Sequence, residues 1–158
     1  PLSMAMVAAT VDEGVWRPPV LVTEPKDAAK APDEVPLPAG EINTLQTLLR
    51  EVVTNGTGWR AASTPGPPVS GKTGTAQNPH GNDHALFVCY APTDVPTIAI
   101  AVVAENSGHG GSVCGPIAAH VLRRVLLGDS LATAPPRRAA KRDSTRAVAA
   151  DTLEVAGD

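Results

Sequence analysis

Residues 69–104 constrain the fold more than any other part of this 158-residue chain. They hold three β-like runs: Val69 to Gln77, Ala85 to Ala91 and Thr97 to Ala104. The second is strongest, with Leu86-Phe87-Val88-Cys89-Tyr90 at its centre. Only Asn78–His84 and Pro92–Pro96 separate them. A parallel crossover needs roughly a dozen residues or more, so such short connections fit antiparallel neighbours only. The expectation is a three-stranded antiparallel meander.

Helical patterns flank it. Leu2, Met4, Met6, Val7 and Val11 give residues 2–13 an apolar face that Gly14 stops. After Pro18 and Pro19, Val20-Leu21-Val22-Thr23 reads as a short strand, and 24–40 as an extended loop with four prolines. Residues 41–54 read as a helix with Ile42, Leu45, Leu48, Leu49, Val52 and Val53 on one stripe. Asn55-Gly56 is expected to end it with a left-handed cap, and 57–68 to be a loop. Ser107–Gly111 reads as a loop into a last helix at 116–127, with Pro116 in its first turn. The buried stripe expected there is Ile117, Val121, Leu122, Val125 and Leu126, and Gly128 is the stop. This predicts a structured unit over 1–128 and a disordered tail over 129–158, where periodicity is lost.

Composition excludes several classes. Apolar residues make up 42% and aromatics 3%, so the core must rest on Val, Leu, Ile and Ala. A net charge of −3 gives no electrostatic footprint for nucleic acid, and no nucleic-acid partner is expected. No apolar run is long enough to span a membrane. Pro1-Leu2-Ser3 lacks the basic start of a signal peptide. A chain that begins with Pro is expected to be a processed product, an excised domain or a truncated reading frame.

Gly66-Pro67-Pro68-Val69-Ser70-Gly71-Lys72-Thr73-Gly74-Thr75-Ala76-Gln77 admits two incompatible readings. Gly66, four residues, then Gly71-Lys72-Thr73 matches the phosphate-binding P-loop letter for letter. A P-loop needs a buried strand before it and a helix starting at the Lys. Gly58 to Thr64 is no buried strand, and Gly74, Pro79 and Gly81 oppose a helix. The other reading is Lys72-Thr73-Gly74 on a strand.

That triplet, followed by Thr75-Ala76, resembles the third motif of the penicillin-binding proteins and serine β-lactamases. The surroundings extend the likeness. Glu51 to Gly58 resembles the helix and Gly-Thr turn ahead of that motif, and His84 to Pro92 the strand after it. Leu86 stands where the family often has an aromatic, and Cys89 where it has Gly. Ile98 to Asn106, a Gly-rich loop and a final helix follow in the family's order. Pro1 to Val22 resembles the helix and Arg-Pro-containing strand after the second motif. The resemblance covers about 1–127. The Gly-Thr-Ala-Gln ending, with no glycosyltransferase region, points to the class B monofunctional transpeptidases.

The resemblance implies an α+β fold, an antiparallel β-sheet with helices packed on both faces, of which this chain supplies the C-terminal portion. It implies peptidoglycan D,D-transpeptidase chemistry, with stem peptides and β-lactams as ligands and no cofactor or metal. Lys72, Thr73, Gly74 and Thr75 would bind substrate, and the backbone N–H of Thr75 would serve the oxyanion hole. It further implies the outer face of the bacterial cytoplasmic membrane, an anchor upstream, and a membrane-embedded cell-wall polymerase as partner. The family's Ser-x-x-Lys and Ser-x-Asn motifs are absent. Ser3, Ser63, Ser70, Ser107, Ser112, Ser130 and Ser144 have neither Lys three residues on nor Asn two residues on. The chain alone is therefore expected to be inactive and, lacking strands of the family's sheet, of marginal stability. Alternatives are a non-catalytic penicillin sensor and, more remotely, a P-loop nucleotide-binding protein. A β-lactamase is a nearer relative, but no deacylating base is identifiable.

Four other groupings call for a reading. His80, His84, Cys89 and Cys114 fit no common zinc module, and His80–His84 reads as a solvated loop or, as the resemblance implies, an edge of the substrate cleft. Cys89 and Cys114 are either two buried thiols or, in the compartment the resemblance implies, a disulfide. Glu105 to Gly111 is a flexible helix-entry loop or a cleft lining, with His109 a poor general base. Ser70 and Lys72 share a strand face, so a Ser-Lys dyad is conceivable; the family instead assigns Lys72 to substrate.

Overall fold

A computed structural model describes residues 1–21, 34–62 and 66–128. The expected tail over 129–158 lies outside the described residues. Helix α1 spans Leu2–Glu13, and β1 and β2 are the two-residue strands Val15–Trp16 and Val35–Pro36. Helix α2 spans Ala39–Thr54, and Trp59–Ala61 forms one 3-10 turn. Strands β3 (Ser70–Ala76), β4 (His84–Ala91) and β5 (Ile98–Ala104) precede helix α3 (Gly110–Leu127).

The meander is present as expected, in the order β3-β4-β5 with both pairings antiparallel. Opposite residues of an antiparallel pair share a face. Val69, Ala85, Phe87, Cys89 and Ala91 meet Cys114, Ala118 and Leu122 of α3, with Val53 and Ala61 completing the core. Helix α1 packs against β4 and β5, on the face that carries Tyr90. The architecture is α+β, with an antiparallel sheet and helices on both its faces. Phe87 is wholly buried, which stabilises the core by about 1.5–3 kcal/mol.

Several local expectations are corrected. Val20 and Leu21 are not in a strand, and Val22 and Thr23 lie outside the described residues. The local strand is β1, paired with β2 through Val15–Pro36 and Trp16–Val35. Helix α2 begins at Ala39, directly after Pro38 in extended backbone (φ −62°, ψ 125°). It does not end in a left-handed cap, since Asn55 has φ −125°. Gly56 is needed there for space, as a Cβ would lie 2.9 Å from the Val52 Cα and carbonyl oxygen. Gly14 stops α1 as expected, in a left-handed conformation (φ 69°) with its N–H bonding the Thr10 carbonyl.

Helix α3 starts six residues before Pro116, which therefore sits in its interior. Its buried residues are Gly110, Cys114, Gly115, Ala118, Ala119 and Leu122, whereas Ile117, Val121 and Val125 are exposed. Of the expected stripe, Leu122 is buried as expected and Leu126 packs against the core, and the remaining contacts with the sheet are made by small residues such as Cys114 and Ala118. Likewise Leu2, Met4 and Val7 of α1 and Leu45 and Leu48 of α2 are exposed, while Ala8, Val11, Ile42 and Val53 are buried.

Candidate functional site

The strand β3 carries the candidate residues. Lys72 lies opposite Val88, Thr73 opposite Phe87, Gly74 opposite Leu86 and Thr75 opposite Ala85. Alternation puts Thr73 and Thr75 on the α3 face and Lys72 on the α1 face. Lys72 and Thr75 are exposed, and Thr73 and Gly74 half-buried. Among the described residues β3 pairs on one side only, so every second N–H points away from the ladder. The Lys72 ammonium donates to the Thr73 carbonyl at 2.8 Å.

Glycines set the spacing around this strand. A Cβ on Gly71 would lie 2.5 Å from the Val88 carbonyl oxygen and 2.7 Å from the Cys89 Cβ. A Cβ on Gly110, the first residue of α3, would lie 2.5 Å from the Gly74 carbonyl oxygen and collide with that of Leu86. Gly111 in turn abuts the Thr57 carbonyl. The N-terminal turn of α3 is thus seated directly on the Lys-Thr-Gly strand and on the turn after α2. At the other end of β3, the Arg50 guanidinium donates to the Val69 carbonyl at 2.7 Å.

The geometry excludes two sequence alternatives. Lys72 sits in the middle of an antiparallel strand with no helix starting at it, so the P-loop reading fails. Ser70 and Lys72 do not form a dyad. Ser70 is fully buried, bonded to Thr93 Oγ1 at 3.0 Å and to the Tyr90 hydroxyl. Burial raises the Tyr90 phenol, the negative charge of Asp12 adds to this, and the Ser70 hydrogen bond opposes it. Burial also raises Asp12.

Beyond β3, two loops are stitched together. Asn78 Nδ2 donates to Asn106 Oδ1 at 2.6 Å, the Asn106 N–H to His84 Nδ1 at 3.1 Å, and the Gly108 N–H to the Asp83 carbonyl at 2.8 Å. Asn106 itself is left-handed, with φ 52°. Gly81 to Asp83 and Asn106 to His109 line an open cleft of about 580 Å³. His109 precedes α3 as its cap residue, in extended backbone. Among the described residues no group of three or more His, Cys, Asp or Glu is placed to hold a metal. Cys89 and Cys114 are both free and buried. Burial pushes the Cys89 thiol up to about 12 and raises that of Cys114, which a backbone hydrogen bond to Ala104 opposes. Among the described residues no helix is long and apolar enough to cross a membrane.

One site residue had not been singled out. Thr57 Oγ1 lies 2.7 Å from Thr73 Oγ1. Its signal in the sequence was its place between Gly56 and Gly58, where the chain turns tightly.

A family model described as the penicillin binding protein transpeptidase domain matches residues 1–123. The peptidoglycan D,D-transpeptidase MrdA of Haemophilus influenzae is 32% identical over 148 residues, covering 77% of this chain and 23% of the relative. The D,D-transpeptidase domain of a peptidoglycan glycosyltransferase from Eggerthella lenta superposes with a TM-score of 0.65 at 29% identity, over 80% of this chain and 32% of that one. Penicillin-binding protein A from Mycobacterium tuberculosis, solved as a ceftriaxone acyl-enzyme complex, superposes with a TM-score of 0.62 at 28% identity, over 78% and 32%. The chain therefore spans about a quarter to a third of the length of these relatives.

Proposed function

The chain belongs to the penicillin-binding protein transpeptidase domain family, and we propose that it is the substrate-binding, C-terminal part of a peptidoglycan D,D-transpeptidase. The observation that carries this is Lys72-Thr73-Gly74-Thr75 on a strand that, among the described residues, pairs on one side only and is braced by the first turn of α3. In this reading Lys72, Thr73 and Thr75 hold the terminal carboxylate of a stem peptide or of a β-lactam. Gly74, without a side chain, lets the acyl group lie close to the strand. In the same reading the Thr75 N–H stabilises the oxyanion.

The nucleophile is a serine that residues 1–158 do not contribute. It attacks the carbonyl between the two terminal D-Ala residues, and the C–N bond breaks to release D-Ala. An amine of a second stem peptide then attacks the ester, and the serine leaves with its proton restored. Residues 1–128 form the domain portion and 129–158 a tail. The place of action is the outer face of the cytoplasmic membrane, with an anchor upstream and a membrane-embedded polymerase as partner. The ceftriaxone acyl-enzyme complex of penicillin-binding protein A supports β-lactams as ligands of the complete protein.

Intact mass after incubation with penicillin tests the reading. The complete protein gains an adduct, and residues 1–158 alone gain none. Lys72→Ala in the complete protein slows acylation by about tenfold or more, the effect of one lost charge-assisted hydrogen bond. Unchanged acylation would remove Lys72 from the site.

A further inference from the structure

The hydroxyls of Thr57 and Thr73 lie 2.7 Å apart, and the distance alone does not say which one donates. The donor inventory does. A threonine hydroxyl carries one proton and two acceptor lone pairs. If Thr73 gives its proton to the carboxylate of a ligand, it has none left for Thr57. The bond between them then exists only with Thr57 as donor and the Thr73 oxygen as acceptor. Accepting that bond leaves the Thr73 proton free for the ligand and polarises it, since chained hydrogen bonds strengthen one another.

The surroundings hold Thr57 in place for this. The Gly58 N–H bonds the Val52 carbonyl at 2.9 Å, which draws the turn against the end of α2. Gly56 is packed so closely on Val52 that a Cβ would lie 2.9 Å from its carbonyl oxygen. Gly111 closes on the Thr57 carbonyl from the α3 side, and its Cβ position lies 3.3 Å from Thr73 Cγ2. The turn, the first turn of α3 and β3 therefore converge on one hydroxyl pair.

We infer that Thr57 is a positioning residue for carboxylate recognition: its hydroxyl orients the Thr73 hydroxyl toward the terminal carboxylate of the ligand. The inference rests on the carboxylate-anchoring reading of Thr73 proposed above. It predicts a selective defect. Losing the Thr57 hydroxyl weakens the recognition of a free carboxylate and leaves a ligand without one unaffected.

The test uses the complete transpeptidase and two acylating ligands, benzylpenicillin and its methyl ester. Second-order acylation rates are measured for Thr57→Val, Thr57→Ser and Thr73→Val. Thr57→Val is expected to lose about three- to tenfold toward the free acid, the effect of one neutral hydrogen bond. It should react with the ester at the unmodified protein's rate, and Thr57→Ser should restore the acid rate. A Thr57→Val protein slowed equally toward acid and ester has lost only packing, and the inference is overturned. It is also overturned if Thr57→Val matches the unmodified protein while Thr73→Val is selectively slow toward the acid, a result that leaves the anchoring reading standing. Full acid rates in both valine variants overturn the anchoring reading itself.

Discussion

Gly110 and Gly74 meet where helix α3 is seated on strand β3, so closely that a Cβ on Gly110 would lie 2.5 Å from the Gly74 carbonyl oxygen. The same Cβ would collide with the Leu86 carbonyl. Both obstacles are backbone, which cannot rotate aside as a side chain can. Gly110→Ala must therefore push α3 away from the sheet or displace β3 at Gly74, the last residue of the Lys-Thr-Gly motif. Overpacking of this kind costs about 1–3 kcal/mol. The expected outcome is a lower melting temperature and slower penicillin acylation in the complete protein. A substitution tolerated on both counts would mean that α3 does not brace the strand.

Asn106 combines a left-handed backbone with a side-chain bond to Asn78. The two contributions separate by substitution. Asn106→Gly keeps φ at 52° without strain and loses the amide bond, at about 0.5–1.5 kcal/mol. Asn106→Ala loses the bond and adds the cost of a left-handed alanine, about another 1–2 kcal/mol. Chemical denaturation should rank the unmodified protein first, glycine second and alanine last. Alanine equal to glycine would show that the loop relaxes to an ordinary conformation.

Cys89 lies under α3, and burial pushes its thiol from an ordinary 9.0 to about 12. The thiolate is the reactive form, so neither Cys89 nor Cys114 should be alkylated by iodoacetamide at pH 8 until the protein is denatured. The linkage follows in sign. Below pH 9 the folded and unfolded states both keep the Cys89 proton. Between pH 9 and 12 only the unfolded chain ionises, so stability falls as pH rises through that window. Cys89→Ala should remove its own share of this alkaline loss and leave that of Cys114 and Tyr90. A prompt native adduct at pH 8 would contradict the burial of both thiols.

The sheet was legible because alternation and short connections act locally. Leu86 to Tyr90 and Ile98 to Ala104 have few other ways to bury side chains, and the Lys-Thr-Gly triplet stood out on its strand. Helix faces were less legible. In α3, Ile117, Val121 and Val125 look like a core stripe, yet the sheet takes Cys114, Ala118 and Leu122. Larger apolar residues suggested burial, which holds for Leu122, whereas elsewhere close packing on the sheet selects the small Cys114 and Ala118. The start of α3 was hidden for a related reason. Gly110 and Gly111 are poor helix formers, and only their approach to Gly74 and Thr57 explains them. The Thr57–Thr73 pair spans sixteen residues and rests on the same helix seating, so no local pattern displays it.

Ser70 offers a final discrimination between scaffold and chemistry. It shares a strand face with Lys72, but its hydroxyl is fully buried and engaged by Thr93 and Tyr90. The Lys72 ammonium bonds the Thr73 carbonyl instead. Ser70→Ala removes one hydroxyl and leaves the buried Tyr90 and the half-buried Thr93 each short of a hydrogen bond, at about 1–3 kcal/mol. The variant should melt at a lower temperature. Below that transition, the acylation rate per folded molecule should match the unmodified protein, because Ser70 supports the start of β3 and does not touch the ligand. A selective loss of acylation with unchanged melting would reinstate Ser70 as a chemical participant beside Lys72.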